Sequence, residues 1–377
     1  MTASEFICEA IATPDAKDGY ASTLAHCFQS TPAAESAYLD RVGLENSAIV
    51  RQGAQLAGGL VTIPMGQWFG GQRVPMTGIA SVAIAPEARG RGAALALMRH
   101  ALHKLHADGA ALSVLYPAVQ ELYRRVGYEQ GGSYCGWEIE TQNINTRCGT
   151  LPVRAVAIAD PSFRDLYMRQ ARATPGHLDR HPCIWQEKLV KAEKEPLYAY
   201  LFGGDRSEGY LLYRQEKTPT GTVALILDKC LPTAAARQRF WAFWTAHRSQ
   251  VDRLRWYGSA VDDLAAILPE QRVKSWFGER WLLRIIDVKR ALTTRGYPKH
   301  LNAELHLDVR DEWIEVNSDR FILQVSNGVA EVKRGGTGAL KLDIRGRAKD
   351  LAAANSGQVT SPPKPPIWGA CATIQGV

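Results

Sequence analysis

Ala80-Ser-Val-Ala-Ile-Ala-Pro-Glu-Ala-Arg-Gly-Arg-Gly-Ala-Ala-Leu-Ala-Leu-Met98 is the stretch on which the reading of this 377-residue chain turns. Ser81 to Ala85 reads as a short β-branched strand, Pro86 stops it, and Arg89 to Gly92 makes a glycine-punctuated turn into an apolar run with helical spacing. Such a turn aims successive backbone amides at one spot, and the uncapped donors of the first helical turn add positive potential there. An anion can sit on it. The spacing is neither Gly-x-x-x-x-Gly-Lys-Ser/Thr nor Gly-x-Gly-x-x-Gly, so a plain connection stays open as the alternative.

Elements on both sides extend the pattern. Downstream, Arg91 to Asp108 is expected as a helix with Leu95, Met98, Leu102 and Leu105 on one face. Ala111 to Tyr116 reads as a strand, Pro117 to Val126 as a short helix, and Tyr128 to Glu140 as a returning strand. Upstream, a strand (Phe6 to Ala12) and helices at Asp15 to Gln29 and Pro32 to Val42 come first. Strands at Ala48 to Arg51, Gln55 to Met65 and Trp68 to Ile79 then lead to Ala80, with turns at Gly53 and Gly70-Gly71.

Arg89-Gly-Arg-Gly92-Ala-Ala94 resembles the Arg/Gln-x-x-Gly-x-Gly/Ala signature of the GCN5-related N-acetyltransferases, and Leu122-Tyr-Arg-Arg-Val-Gly-Tyr128 is similar to that family's Phe/Leu-Tyr-x-x-x-Gly-Phe/Tyr stretch. The resemblance implies acetyl-CoA as co-substrate and no metal. It places the pyrophosphate on Arg89, Gly90, Arg91, Gly92, Ala93, Ala94 and Leu95, the pantetheine and thioester along Val82, Ala83 and Ile84, and the start of a flanking helix at Ala118 and Val119.

It also implies Tyr123 as the acid that protonates the leaving thiolate; a phenol with a pKa near ~10 holds its proton at neutral pH. The alternative reading makes Tyr123 a core aromatic and Tyr128 the polar one.

At this length two or three domains are expected. The seven cysteines are scattered, odd in number and never in Cys-x-x-Cys spacing, which suggests reduced thiols and a cytoplasmic protein. No secretory leader or membrane-length apolar run is read, so no membrane is expected as a partner.

Charge is uneven: residues 1–142 carry a net −3, 143–284 a net +7 and 285–377 a net +3. The basic middle with its Arg237-Gln-Arg-Phe-Trp-Ala-Phe-Trp244 run invites a nucleic-acid reading. Phe240, Trp241, Phe243 and Trp244 at helical spacing read better as core, so no nucleic acid is expected. His177-Leu-Asp-Arg-His181 lacks the second ligand pair of a zinc site.

The pattern lapses into polar residues around Gln142 to Gly149. Beyond it, helices (Ser162 to Arg172, Trp185 to Lys191, Ala234 to Ser249, Val261 to Leu268) alternate with strands (Leu197 to Phe202, Gly209 to Arg214, Val223 to Lys229, Leu254 to Tyr257). This is a second α/β layer without an Arg-x-x-Gly-x-Gly turn. From Ile285 a short helix (Asp287 to Leu292) precedes strands at Ala303 to Val309, Arg320 to Val325, Ala330 to Lys333 and Ala339 to Ile344, then a helix at Gly346 to Ala354 and an extended Ser361-Pro-Pro-Lys-Pro-Pro366.

That third segment resembles the sterol-carrier-protein-2-like domain of the Eis acetyltransferases. The expected fold class is α/β with α+β mixed sheets: acetyltransferase-like domains at 1–142 and 143–284, the second degenerate, and a sterol-carrier-like domain at 285–377.

The Eis resemblance further implies a homo-oligomer, a hexamer, and the terminal carboxylate, here on Val377, as the base. Glu35 or Glu121 acting through water would substitute. The implied acceptor is a small cationic amine, aminoglycoside- or polyamine-like. Protein-lysine acetylation and a non-catalytic acyl-CoA or lipid-binding module are the other readings.

Overall fold

The computed structural model describes residues 6–146, 149–187 and 196–344. Its elements fall into two compact units. One takes in the chain up to Gln67, Gln72–Gly131 and the stretch from Trp281; the other takes in Trp68–Gly71 and Gly132–Arg280.

The first unit begins with β1 (Phe6–Ala10), α1 (Pro14–Phe28) and α2 (Pro32–Val42). Both helices start by the same device. Thr13 and Thr31 are extended, their hydroxyls accept the amides of Ala16 and Ala34, and a proline fills the first turn, where a missing N–H is no loss.

β2 (Ser47–Gln52) and β3 (Gln55–Phe69) extend an antiparallel ladder from β1. β4 (Gln72–Ile84) lies beside β3, and after α3 (Ala93–Ala107) comes β5 (Leu112–Leu115), parallel to β4. α4 (Gln120–Arg124) and β6 (Glu129–Glu140) follow. Leu97, Met98, Leu102 and Leu105 of α3 bury themselves against Val50, Leu60 and Ile79 of the sheet.

The second unit holds β7 (Val153–Ala155), α5 (Ser162–Ala173), β8 (Leu178–Asp179), β9 (Leu197–Gly203), β10 (Ser207–Thr218), β11 (Gly221–Cys230), α6 (Ala234–Ala246), β12 (Arg253–Gly258) and α7 (Asp263–Ala266). β9, β10 and β11 are antiparallel, while β11 and β12 are parallel. Phe240, Trp241, Phe243 and Trp244 are all buried with Trp256, so the aromatic run of α6 is core.

β13 (Lys274–Ile285) returns the chain to the first unit, where Leu282–Ile285 pair antiparallel with β5. α8 (Val288–Thr294) leads into a separate four-stranded sheet of β14 (Ala303–Arg310), β15 (Asp319–Ser326), β16 (Val329–Arg334) and β17 (Leu340–Asp343), in the order β16-β15-β14-β17. Asn327 and Gly328 turn β15 into β16 with φ of 52° and 83°. Two positive φ angles are what a tight hairpin with the native twist requires.

Several sequence expectations need correction. Ser81 to Ala85 is not a strand of its own; through Ile84 it is the end of the thirteen-residue β4. The helix expected from Arg91 starts at Ala93, because Gly92 with φ 96° is its N-cap. The helix expected over Pro117 to Val126 is only Gln120–Arg124, and the one expected over Val261 to Leu268 only Asp263–Ala266. β13 was not anticipated: its first half is exposed and its Gly-Glu-Arg interrupts any alternation. The helix at Gly346 to Ala354 and the proline-rich stretch lie outside the described residues.

Candidate active site

β4 and β5 pair only where Met76, Thr77 and Gly78 face Leu112, Ser113 and Val114. β4 runs six residues further, to Ile84, without β5 beside it. The end of that strand and the turn after it therefore lie beyond the β4–β5 ladder.

At the turn, Gly90 and Gly92 have φ of 72° and 96°, and a Cβ built on either meets nothing within 4 Å. The glycines are there for conformation and approach, not because neighbours crowd them. Gly92 caps α3 without a side-chain acceptor, so the amides of Ala93, Ala94 and Leu95 have no cap. Arg91 is exposed. Arg89 is tied back, its Nε donating to the Ile84 carbonyl at 3.1 Å and its Nη2 reaching Cys27 Sγ at 3.4 Å. Its charge thus braces the turn from the strand side.

Within β4, Ser81 has φ 55°, which is uncommon for a residue with a side chain and costs of order 1–3 kcal/mol. The fully buried Tyr20 holds it there by donating its hydroxyl to the Ser81 carbonyl at 2.6 Å. Two glycines of β3 make room. A Cβ on Gly59 would stand 2.7 Å from the Tyr20 ring, and one on Gly58 would stand 2.2 Å from the Ala83 carbonyl oxygen.

The kink lies one residue before Val82, so Tyr20, Gly58, Gly59 and Ser81 set the course of the backbone expected to face the thioester. Sequence reasoning missed them, although paired glycines inside a strand are a recognised mark of close backbone approach. Tyr20→Phe is expected to lower stability by about 1 kcal/mol. The same change should lower kcat by about tenfold, roughly 1.4 kcal/mol, with little change in KM for acetyl-CoA. Chemical denaturation and steady-state kinetics on the one variant check both.

Tyr123 lies on α4, 6% exposed, in the same cluster as Leu97 and Met98. Burial raises its pKa, and among the described residues its hydroxyl has no hydrogen-bond partner. Tyr128 differs. Its ring meets that of Tyr123 edge-on at 6.3 Å, but its hydroxyl is fully buried and donates to Ser113 Oγ at 2.7 Å. Of the two phenols, Tyr123 is the one with an uncommitted proton.

Val82 and Ile84 are half-buried at the edge of the core and Ala83 is buried within β4. Ala118 and Val119 are exposed and precede α4 instead of beginning it, Val119 being its extended N-cap; the expected helix is shorter by its first turn. Glu35 sits in the first turn of α2, bonded by the Ser30 hydroxyl, and Glu121 is exposed on α4. Val377 lies outside the described residues. Among the described residues no helix is long and apolar enough to cross a membrane.

Comparison with known proteins fits this geometry. Residues 11–131 and 176–285 match two family models, each described as an acetyltransferase (GNAT) domain, and residues 288–361 match a sterol carrier protein domain. A crystal structure described as a GCN5-related N-acetyltransferase from Anabaena variabilis is 44% identical, with a TM-score of 0.88 over 90% of this chain and 88% of that one. The "N-acetyltransferase Eis" of Mycobacterium tuberculosis is 27% identical over 360 residues, 86% of each protein. Eis1 from Mycobacterium abscessus, at 20% identity and a TM-score of 0.75 over 98% of this chain and 97% of that one, shares the fold.

Proposed function

The chain belongs to the GCN5-related N-acetyltransferases, in the Eis-like group with tandem acetyltransferase domains and a sterol-carrier-like carboxyl-terminal domain, and from that premise we propose how it works and on what. It transfers acetyl from acetyl-CoA to an amine of a small cationic acceptor, aminoglycoside- or polyamine-like, by direct attack in a ternary complex. The observation that carries this reading is the uncapped start of α3 behind two open, positive-φ glycines, a cradle of backbone donors shaped for a diphosphate.

The roles follow from the chemistry. The acceptor nitrogen attacks the thioester carbonyl carbon, a C–N bond forms, and the oxyanion that develops is met by backbone amides along Val82 to Ile84. The C–S bond then breaks and the sulfur takes the Tyr123 proton. The proton lost by the ammonium goes to a carboxylate, for which the terminal carboxyl of Val377 is the proposed acceptor and Glu35 or Glu121 through water the substitute. No metal is called for in any step. The net −3 of residues 1–142 favours approach of a cation.

The division into residues 1–142, 143–284 and 285–377 belongs to the same proposal; each family match falls in a different segment, the second overrunning by one residue. So do a cytoplasmic location and a homo-oligomer, a hexamer.

Gly92→Leu tests the cradle. A Cβ at Gly92 meets nothing within 4 Å, so the cost to the fold is taken as the left-handed backbone strain, about 1–2 kcal/mol. The side chain takes the space required by the diphosphate, and KM for acetyl-CoA is expected to rise by about 30-fold, roughly 2 kcal/mol. The acceptor is tested by thiol release from acetyl-CoA across a panel of polyamines, aminoglycosides and a lysine peptide. A peptide preference of about tenfold, roughly 1.4 kcal/mol, would overturn the small-cation reading.

A further inference from the structure

Trp313 lies in the loop between β14 and β15, inside the segment that matches a sterol carrier protein domain, yet its indole reaches the turn that carries Tyr123. Nε1 donates to the Arg125 carbonyl at 2.8 Å, across 188 residues of chain. The Arg99 guanidinium stands over the same ring, 4.8 Å from its centroid. One side chain thus touches α3, the helix behind the Gly90 to Gly92 turn, and the residue directly after α4.

α4 needs outside support. Five residues fall well short of the about 12–15 at which an isolated helix begins to hold itself. Val119 starts it without a side-chain cap. At its other end the Tyr123 carbonyl takes the Val126 and Tyr128 amides, both at 3.1 Å, and the Val126 carbonyl takes Arg284 Nε at 3.0 Å. Among the described residues, the donor to the Arg125 carbonyl is the Trp313 indole.

The loop that presents this indole is itself fixed. Asp311 Oδ1 accepts the Trp313 and Ile314 amides, each at 3.0 Å, and Ser318 Oγ accepts the Asp311 amide at 2.8 Å. Ile314 is buried in the same cluster as Tyr123, Val126, Leu97 and Met98. A donor on a loop so anchored holds its partner in place. α3 has its own anchors in Leu97, Met98, Leu102 and Leu105, so the diphosphate turn does not depend on the Arg99 contact.

Proton transfer needs the phenol within hydrogen-bond reach of the sulfur, and a misplacement of about 1 Å can cost about 10²-fold. We propose that Trp313 is a positioning residue for Tyr123, its indole N–H fixing the end of α4 and with it the place of the phenol. The inference rests on the reading of Tyr123 as the acid. It gives the carboxyl-terminal domain a part in the transfer step, through a side chain that acts on another residue rather than on substrate.

Trp313→Phe keeps a ring under Arg99 and removes the N–H. Trp313→His is its partner variant, since the imidazole Nε2 takes the position of the indole Nε1 and can donate the same bond. The melting temperature of each is checked first. Thiol release from acetyl-CoA is then followed in the full chain, with the fastest polyamine or aminoglycoside of the panel as acceptor. Trp313→Phe is expected to lower kcat about tenfold, roughly 1.4 kcal/mol, with KM for acetyl-CoA unchanged, and Trp313→His to recover most of that loss. In a Tyr123→Phe background, Trp313→Phe should change kcat by less than about twofold, because the group it places is already gone. Wild-type kcat in Trp313→Phe, a histidine variant as slow as the phenylalanine one, or losses that multiply in the double variant overturns the positioning role and leaves Tyr123 as the acid. Normal turnover in Tyr123→Phe alone overturns the acid reading and this inference with it.

Discussion

Tyr123→Phe is expected to lower amine-dependent thiol release from acetyl-CoA by about 10²–10⁴-fold, the usual worth of a positioned proton donor. CoA affinity should change little, because the phenyl ring keeps its place beside Leu97 and Met98 and only the hydroxyl is lost. Burial raises the phenol's pKa above its ordinary 10.0, so the protonated, active form persists through neutral pH and beyond pH 10. A rate that rises with pH as the acceptor amine loses its proton, with no fall before pH 10, is therefore expected of the wild type. Tyr128→Phe is the control. It removes the bond to the Ser113 hydroxyl inside the core and should lower stability by about 1 kcal/mol with kcat retained. If Tyr128→Phe stops turnover and Tyr123→Phe does not, the two roles exchange.

What could be read in the sequence is what local chemistry dictates. Pro86, Gly90 and Gly92 fix a turn by their own backbone limits, so the turn and the helix behind it were visible before any packing was known. The Phe-Trp-Ala-Phe-Trp run declared itself as core by its spacing, and α6 buries it.

The parts that escaped depend on long-range partners. The kink at Ser81 is held by Tyr20, sixty-one residues away in the chain, and nothing near Ser81 announces it. The short α4 loses its expected first turn because Ala118 and Val119 are exposed and bring no cap of their own. β13 is a strand because β5 offers an edge to Leu282–Ile285, while its exposed half carries no periodicity that could be read.

Gly127 of the Leu-Tyr-x-x-x-Gly-Tyr stretch shows the boundary between the two kinds of information. The motif was legible but its physical reason was not: a Cβ there would stand 2.8 Å from Arg284 Nε and 2.9 Å from the Ile344 carbonyl oxygen.

Arg284 and Asp311 set up the second large effect. Both side chains are 0% exposed and meet at 2.6 Å. Arg284 also donates to the Val126 and Ile285 carbonyls, and Asp311 accepts the amides of Trp313 and Ile314 and the Asn317 side chain. One ion pair thus joins the end of β13, the loop after α4 and the turn between β14 and β15. Asp311→Ala leaves a guanidinium buried without its anion and strands three donors, and is expected to cost about 3–5 kcal/mol. Calorimetry of the full chain should show the transition containing this unit move down by several degrees, with the loss of cooperativity reaching Tyr123 through the Val126 amide bonded to the Tyr123 carbonyl. The pair itself need not be the source of that stability, since desolvating both charges opposes their attraction. Arg284→Met added to Asp311→Ala should therefore restore a good part of the loss, and the coupling between the two changes measures how much of the single-variant cost was an unpaired charge. Should the single variant melt within about 0.5 kcal/mol of the wild type, the usual span of an inconsequential surface change, water reaches Arg284 and the proposed join between these segments is not the one that holds them.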